Sequence, residues 1–325
     1  MDGNTENSLV AGVSEAPFFE EDELDEDDIS GAFKTSNPKN NRWQRPFLHD
    51  TPPESRFRKK VEIVLCVHGW ETPDRIKPMT LLVLGVTLQC QTPNFRYQSA
   101  RMWLKFGEDT KIKPRNEEDA APAVVAYAPF VQQEEWNPSE ESVSTSTTYG
   151  GSLGIEKYVN VGVKCSTEAS SSYTRTHFDR GTADILVCDT GTAQRVYGVN
   201  WYCEQNKLQM YGVKPYFHLA VLIERSHTKD NQPISFSAVF DMRIQAGFWH
   251  DFEEERRRFF RLGKPEDDPV YFHPSTQDQV GGINRAGQKI LHKVNKERLG
   301  DLAEGDHLSK LIDEAGLQPM KPKRA

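Results

Sequence analysis

The sequence predicts an all-β protein, an antiparallel two-sheet β-sandwich carrying a disordered N-terminal tail and short C-terminal helices. Three observations lead there. Short apolar runs with a two-residue alternation recur from residue 61 to residue 244, turn formers bound them, and almost no helical period of ten residues interrupts them. Strands at short spacing without alternating helices argue for a sandwich or barrel over a parallel α/β sheet.

The first strands are the clearest. Val61, Ile63, Leu65 and Val67 alternate with Glu62, Val64, Cys66 and His68, and residues 81–88 form a longer apolar run. Gly69 and Pro73 punctuate one side, Pro93 and Asn94 the other. Further strands are expected at 100–106, 124–127, 158–164, 185–188, 199–203, 217–224 and 234–244. In the last of these Phe236, Ala238, Phe240, Met242 and Ile244 oppose Ser235, Ser237, Asp241 and Arg243, as a sheet with one buried face demands. Val239 breaks the polar side of that pattern.

The ends read differently. Hydrophobic residues make up 37% of the 325-residue chain, below the roughly 45–50% of an ordinary globular protein, so part of it must lie outside a core. Residues 1–58 hold too little apolar surface to offset the entropy of ordering, and they predict an acidic, then basic, tail. The sandwich is expected over 59–247. Over 248–283 a helix capped by Asp251 and ended by Gly263 is followed by the extended segment 268–274, both packing on the sandwich. Residues 284–325 predict a polar, partly helical tail with apolar Leu291, Val294, Leu299 and Leu302 among its members.

Charge narrows the function classes. Residues 1–30 carry eleven acidic side chains and no Lys or Arg; removing them from the net charge of −8 leaves +3 for residues 31–325. Nucleic-acid binding calls for a clearly basic domain, so no nucleic acid is expected. The five cysteines, Cys66, Cys90, Cys165, Cys188 and Cys203, include no CxxC pair, and several sit in apolar runs, which points to free thiols in an intracellular, cytoplasmic protein. No stretch reaches 18 apolar residues, so no transmembrane helix is expected, while contact with a membrane surface stays open. No two of the nine histidines lie three or four residues apart, and no P-loop or G-x-G-x-x-G occurs; no metal site and no cofactor are expected.

The stretch Asn200 to Pro215, followed by 220–225, together with Ser99-Ala100-Arg101, Ala128-Pro129, Gly151 to Gly154 and Asp268 to Tyr271, resembles β-rich proteins of filamentous fungi. The resemblance spans roughly residues 60–275. It implies a β fold and supplies no activity, substrate or catalytic residue.

Three functions compete. The expected one is a non-enzymatic protein-binding or scaffold module, with the acidic-hydrophobic segment around Phe18, Phe19 and Leu24 as a candidate interaction element and Trp70, Trp103, Trp136, Trp201 and Trp249 as candidate anchors. The second is a serine hydrolase. Gly150-Gly-Ser152-Leu-Gly154 matches G-x-S-x-G, and His68-Gly69 resembles a strand-end oxyanion turn, with acids at Asp184 or Asp189 and bases at His218, His227 or His250. Polar residues precede Ser152 and a strand-like alternation comes after it, whereas the elbow needs an apolar strand before and a helix after. The third is a β-pore former using residues 142–182, where Ser and Thr abound and Val159, Val161 and Val163 alternate with Asn160, Gly162 and Lys164. No residue set stands out as catalytic.

Overall fold

The computed structural model describes residues 35–37, 45–53, 55, 57–91, 95–108, 122–150, 166–189, 194–225, 234–246, 267–274, 291, 294, 296, 299 and 300. They form eleven strands: β1 (Phe47–Asp50), β2 (Phe57–Trp70), β3 (Pro78–Cys90), β4 (Ser99–Glu108), β5 (Ala123–Ala128), β6 (Glu134–Gly150), β7 (Ser166–Asp189), β8 (Gln194–Glu204), β9 (Tyr216–Glu224), β10 (Phe236–Gln245) and β11 (Val270–Phe272). One sheet has the order β1-β2-β3-β9-β5, the other β11-β10-β4-β8-β7-β6. Every pairing is antiparallel.

The inner faces of the two sheets meet in one apolar core. From β2, β3 and β9 come Ile63, Leu82, Leu84, Val86, Leu219, Val221 and Ile223, and from β4, β8 and β10 come Met102, Leu104, Trp201, Phe236 and Phe240. The alternation read in β10 holds along its whole length, and Val239 is exposed as its break of pattern requires.

The first sheet is buried on its outer face as well. Leu65, Val67, Met79, Leu81, Val83, Ala220 and Leu222 pack under Leu291, Val294 and Leu299 of the C-terminal segment. This second layer explains why β3 is apolar without alternation, since a strand buried on both faces has no polar side to show. Lys296 also meets Glu71 there, and that contact holds the Glu71 carboxyl below its usual range.

Strand β1 falls inside the stretch 1–58 whose composition predicts a tail. It pairs with β2, and Leu48 enters the core. Arg45 accounts for much of the anchoring, donating to the backbone carbonyls of Thr35, Phe47, Leu48 and Asp268. His49 Nδ1 lies 2.7 Å from Asp267 Oδ2 with both side chains buried. The segment 268–274, expected as an extended strip, supplies β11, which pairs with β10. The expected helix over 251–263 and the strand over 158–164 lie outside the described residues.

A polar line crosses the core. His68 is wholly buried, with Nδ1 2.8 Å from Thr80 Oγ1 and its ring edge-on to Phe236 and Phe272. Burial drives its pKa well below the usual histidine value, and the nearby charges of Arg225 and His273 add to the effect. Arg225, itself buried, donates to the carbonyls of Gly69 and Met79, and burial lowers its pKa to about 10.

Candidate functional site, the β6–β7 arm

Strands β6 and β7 reach beyond the sheet to which they belong. Strand β8 pairs with β7 only from Asp189 back to Arg180, where Glu204 is the last partner. From there outward, among the described residues, β7 has β6 alone beside it, through twelve register pairs running from Ser139↔His177 to Gly150↔Ser166. At about 3.4 Å per residue this two-stranded part extends roughly 37 Å.

The arm is rich in Ser and Thr on both strands. By the two-residue period, positions 143, 145, 147 and 149 share a face with 173, 171, 169 and 167, giving Val, Thr, Thr, Tyr and Tyr, Ser, Ala, Thr. The opposite face takes Ser142, Ser144, Ser146 and Thr148 with Thr174, Ser172, Ser170 and Glu168. By register and sequence, the first set of positions holds no charged residue over four successive pairs, and the second holds Ser and Thr with Glu168.

The root of the arm is built differently. Phe130 stacks on Trp136 with ring centroids 5.6 Å apart and planes 8° from parallel. Gly181 makes room for that stack, since a Cβ there would come within 2.4 Å of the Phe130 ring. Between Trp136 and Ser139 the register slips by one residue, and Asn137 takes a left-handed backbone with φ 50°. Such a bulge bends a strand and re-aims the residues beyond it. Polar pairs flank the bend: Arg180 lies 3.3 Å from Glu135 and 3.8 Å from Glu204, and His177 Nε2 lies 3.0 Å from Glu141.

Asn206 joins this root to the loop over 205–215. It is 1% exposed, and its Nδ2 donates to the carbonyl of Asn137 at 2.8 Å, to Ser139 Oγ at 2.8 Å and to the carbonyl of His177 at 3.0 Å. Its Oδ1 accepts from the backbone N–H groups of Leu208 and Gln209, and its own N–H donates to Asp179. The same loop is further fixed by Gly212 N–H on Gln205, Val213 N–H on the Tyr97 carbonyl, and Arg96 on the Met210 carbonyl. Held in this way, it presents Leu208, Met210 and Tyr211 to solvent, the last 79% exposed.

Among the described residues the hydrolase candidates are not brought together. Ser152 lies outside the described residues, and the elements on either side of it are the antiparallel strands β6 and β7, where a nucleophile elbow calls for a strand leading into a helix. His68 sits inside β2, bonded to Thr80, so it does not end a strand at an open turn. His218 is in the first sheet with Nε2 2.9 Å from Tyr216 Oη, while Asp184 is in the second; His227 and His250 are not described. The interaction segment Phe18, Phe19 and Leu24 also lies outside the described residues. Of the candidate anchors Trp70 and Trp201 are buried, Trp103 and Trp136 are half-buried, and Trp249 is not described.

Among the described residues no three His, Cys, Asp or Glu side chains gather as a metal site would need, and no helix is long and apolar enough to cross a membrane. Cys66, Cys90, Cys188 and Cys203 are free thiols; burial pushes Cys66 and Cys203 up to about 12. Sequence reasoning assigns the region around 142–150 to a Ser/Thr-rich loop or hairpin without placing a strand, because a run of hydroxyl side chains gives no hydrophobic alternation. The usable signal is the absence of charge and proline over 142–150, matched by a second hydroxyl-rich run at 166–174.

Fold and arm together define a two-sheet β-sandwich with a long hairpin leaving one sheet edge. No protein-family profile matches the chain, and no curated protein does. Among solved structures, the NetB toxin of Clostridium perfringens in its membrane-inserted form is similar over 60% of this chain and 81% of that one, at 10% identity and a TM-score of 0.26. At that level of likeness the functional reading rests on the chain's own geometry.

Proposed function

We propose that the chain inserts the β6–β7 arm into a lipid bilayer and that several copies close their arms into a barrel. The observation that carries this reading is the arm itself: twelve register pairs with no third strand beside them among the described residues. A lone two-stranded hairpin is marginal in water, so such an element needs a partner. A strand of about 9–11 residues tilted near 45° spans a hydrocarbon core of roughly 30 Å, and the arm has that reach. Lipid tolerates no unpaired strand edge, which requires closure by further copies, and barrels begin at about eight strands, hence about four copies or more. In this arrangement the face of Val143, Thr145, Thr147 and Tyr149 meets lipid, and the face of Ser142, Ser144, Ser146 and Thr148 lines the lumen.

The test is release of an encapsulated dye from liposomes by the full chain, read beside its oligomeric state before and after lipid is added. Release with conversion to an oligomer of at least about four copies supports the reading. A chain that stays monomeric and leaves the vesicles intact sinks it.

A second reading, a protein-binding module in an intracellular compartment, is favoured by the loop over 205–215, where Leu208, Met210 and Tyr211 stand in solvent on a backbone fixed by side-chain bonds. Rigid exposed aromatic and apolar groups are what protein interfaces use as anchors. Here a partner captured by the full chain should be lost on Tyr211→Ser with Met210→Ser, and loss on removing residues 1–30 would instead assign the contact to the acidic segment.

A further inference from the structure

We infer that Asn206 is the pin about which the β6–β7 arm is set, a positioning residue that fixes the arm's angle to the sandwich and whose release frees the arm without unfolding either sheet. This deepens the membrane-inserting reading and rests on it for its biological purpose.

The two ends of the Asn206 side chain divide unequally between loop and arm. The Oδ1 atom accepts from the N–H groups of Leu208 and Gln209 in its own loop and from the Ser139 hydroxyl on β6. The Nδ2 atom serves the arm and reaches both strands, with the Asn137 carbonyl and Ser139 Oγ on β6 and the His177 carbonyl on β7. These acceptors bracket the register slip between Trp136 and Ser139, and Asn137 is the residue with positive φ. Pro138 adds that one backbone position in the bend has no N–H to place in the ladder. Beyond this level β7 has lost β8, so the root is where a three-strand ladder becomes a two-strand one. A bend, a buried amide spanning both strands and the loss of the third strand coincide within a few residues.

The chemistry suggests a variant that removes only the donor. Asn206→Asp keeps an oxygen for Leu208, Gln209 and the Ser139 hydroxyl, removes the donor to the Asn137 and His177 carbonyls, and sets a carboxylate beside Asp179, whose own carboxylate already accepts from residue 206. Asn206→Ala removes both ends.

Hydrogen exchange of the full chain, without lipid, reads the difference. In Asn206→Asp the segments 136–141 and 176–180 should exchange at least about ten-fold faster, the order expected when buried hydrogen bonds to two carbonyls are lost, while Leu208, Gln209 and strands β2, β3 and β9 keep their protection. In Asn206→Ala the amides of Leu208 and Gln209 should lose theirs too. Ser139→Ala, a milder change, should give a smaller acceleration confined to the same two segments. Unchanged exchange at the root in Asn206→Asp and Ser139→Ala overturns the inference, and so does loss of protection spread evenly over both sheets. Failure of the membrane reading would show separately, as intact liposomes with the unsubstituted chain.

Discussion

An arginine placed on either face of the arm should separate its two sides. Thr145 stands opposite Ser171, six residues out from Ser139 along β6, or roughly 20 Å along an arm of roughly 37 Å. That places it near the middle of a bilayer spanned by the hairpin. An arginine on the lipid face of a barrel costs about 2–4 kcal/mol at the midplane, which is roughly 30- to 1,000-fold in the insertion equilibrium of each copy. The neighbouring Ser144, opposite Ser172, shares the hydroxyl-lined face, and an arginine there would enter the aqueous lumen. Thr145→Arg should therefore abolish dye release at concentrations where the unsubstituted chain empties the vesicles, and Ser144→Arg should leave release within a few-fold of normal. Circular dichroism and sedimentation with liposomes would verify that both variants fold and reach the membrane. Full release by Thr145→Arg, or equal loss in the two variants, would refute the assignment of faces.

Other consequences concern the fold. His68 has a pKa held well below the unfolded value near 6.5, so the unfolded chain binds the extra proton first as the pH falls. Stability should be constant well above the unfolded-state value and fall as the pH drops through it. A His68→Gln chain should show a shallower acid slope in urea titrations at pH 5, 6 and 8, and an unaltered slope would count against the buried neutral imidazole. Gly181→Ala should displace Phe130 from Trp136 at a cost of about 1–3 kcal/mol, read as a lower thermal midpoint with altered tryptophan emission. Leu299→Ala, at the cover of the outer face of the first sheet, should cost about 2–5 kcal/mol by chemical denaturation; a change under about 0.5 kcal/mol would mean that the cover contributes little.

Most of the sandwich is legible in the sequence because its strands solve a packing problem that leaves a period-two trace. Phe236 to Ile244 bury every second side chain, and the letters say so. Strand β3 is visible as a strand through its apolar run, but its second buried face is not, since the covering residues Leu291, Val294 and Leu299 come some two hundred positions later, in a polar segment. Strand β1 hides inside a Pro- and Arg-rich stretch; its anchor is Arg45, whose acceptors are backbone carbonyls and therefore silent in sequence. The arm is half legible. Hydroxyl-rich composition suggests a hairpin, while its extension past the sheet depends on where β8 stops, which pairing decides and composition does not. Asn206 leaves no trace in the sequence, because its role exists only once residues 137, 139 and 177 are brought to it.

The double cover of the first sheet has a consequence for how the chain is made. Leu65, Val67, Leu81 and Val83 are synthesised some two hundred residues before Leu291 and Leu299, which shelter their outer side. At about 5–20 residues per second the roughly 200 residues in between take about 10–40 seconds, during which β2 and β3 can pair with one side bare. A nascent chain in that state carries an apolar sheet surface that stays bare until Leu291 and Leu299 arrive. Premature termination ahead of residue 291 should therefore yield a protein that has its strands and still clumps, a failure of timing in a chain whose sandwich is otherwise complete.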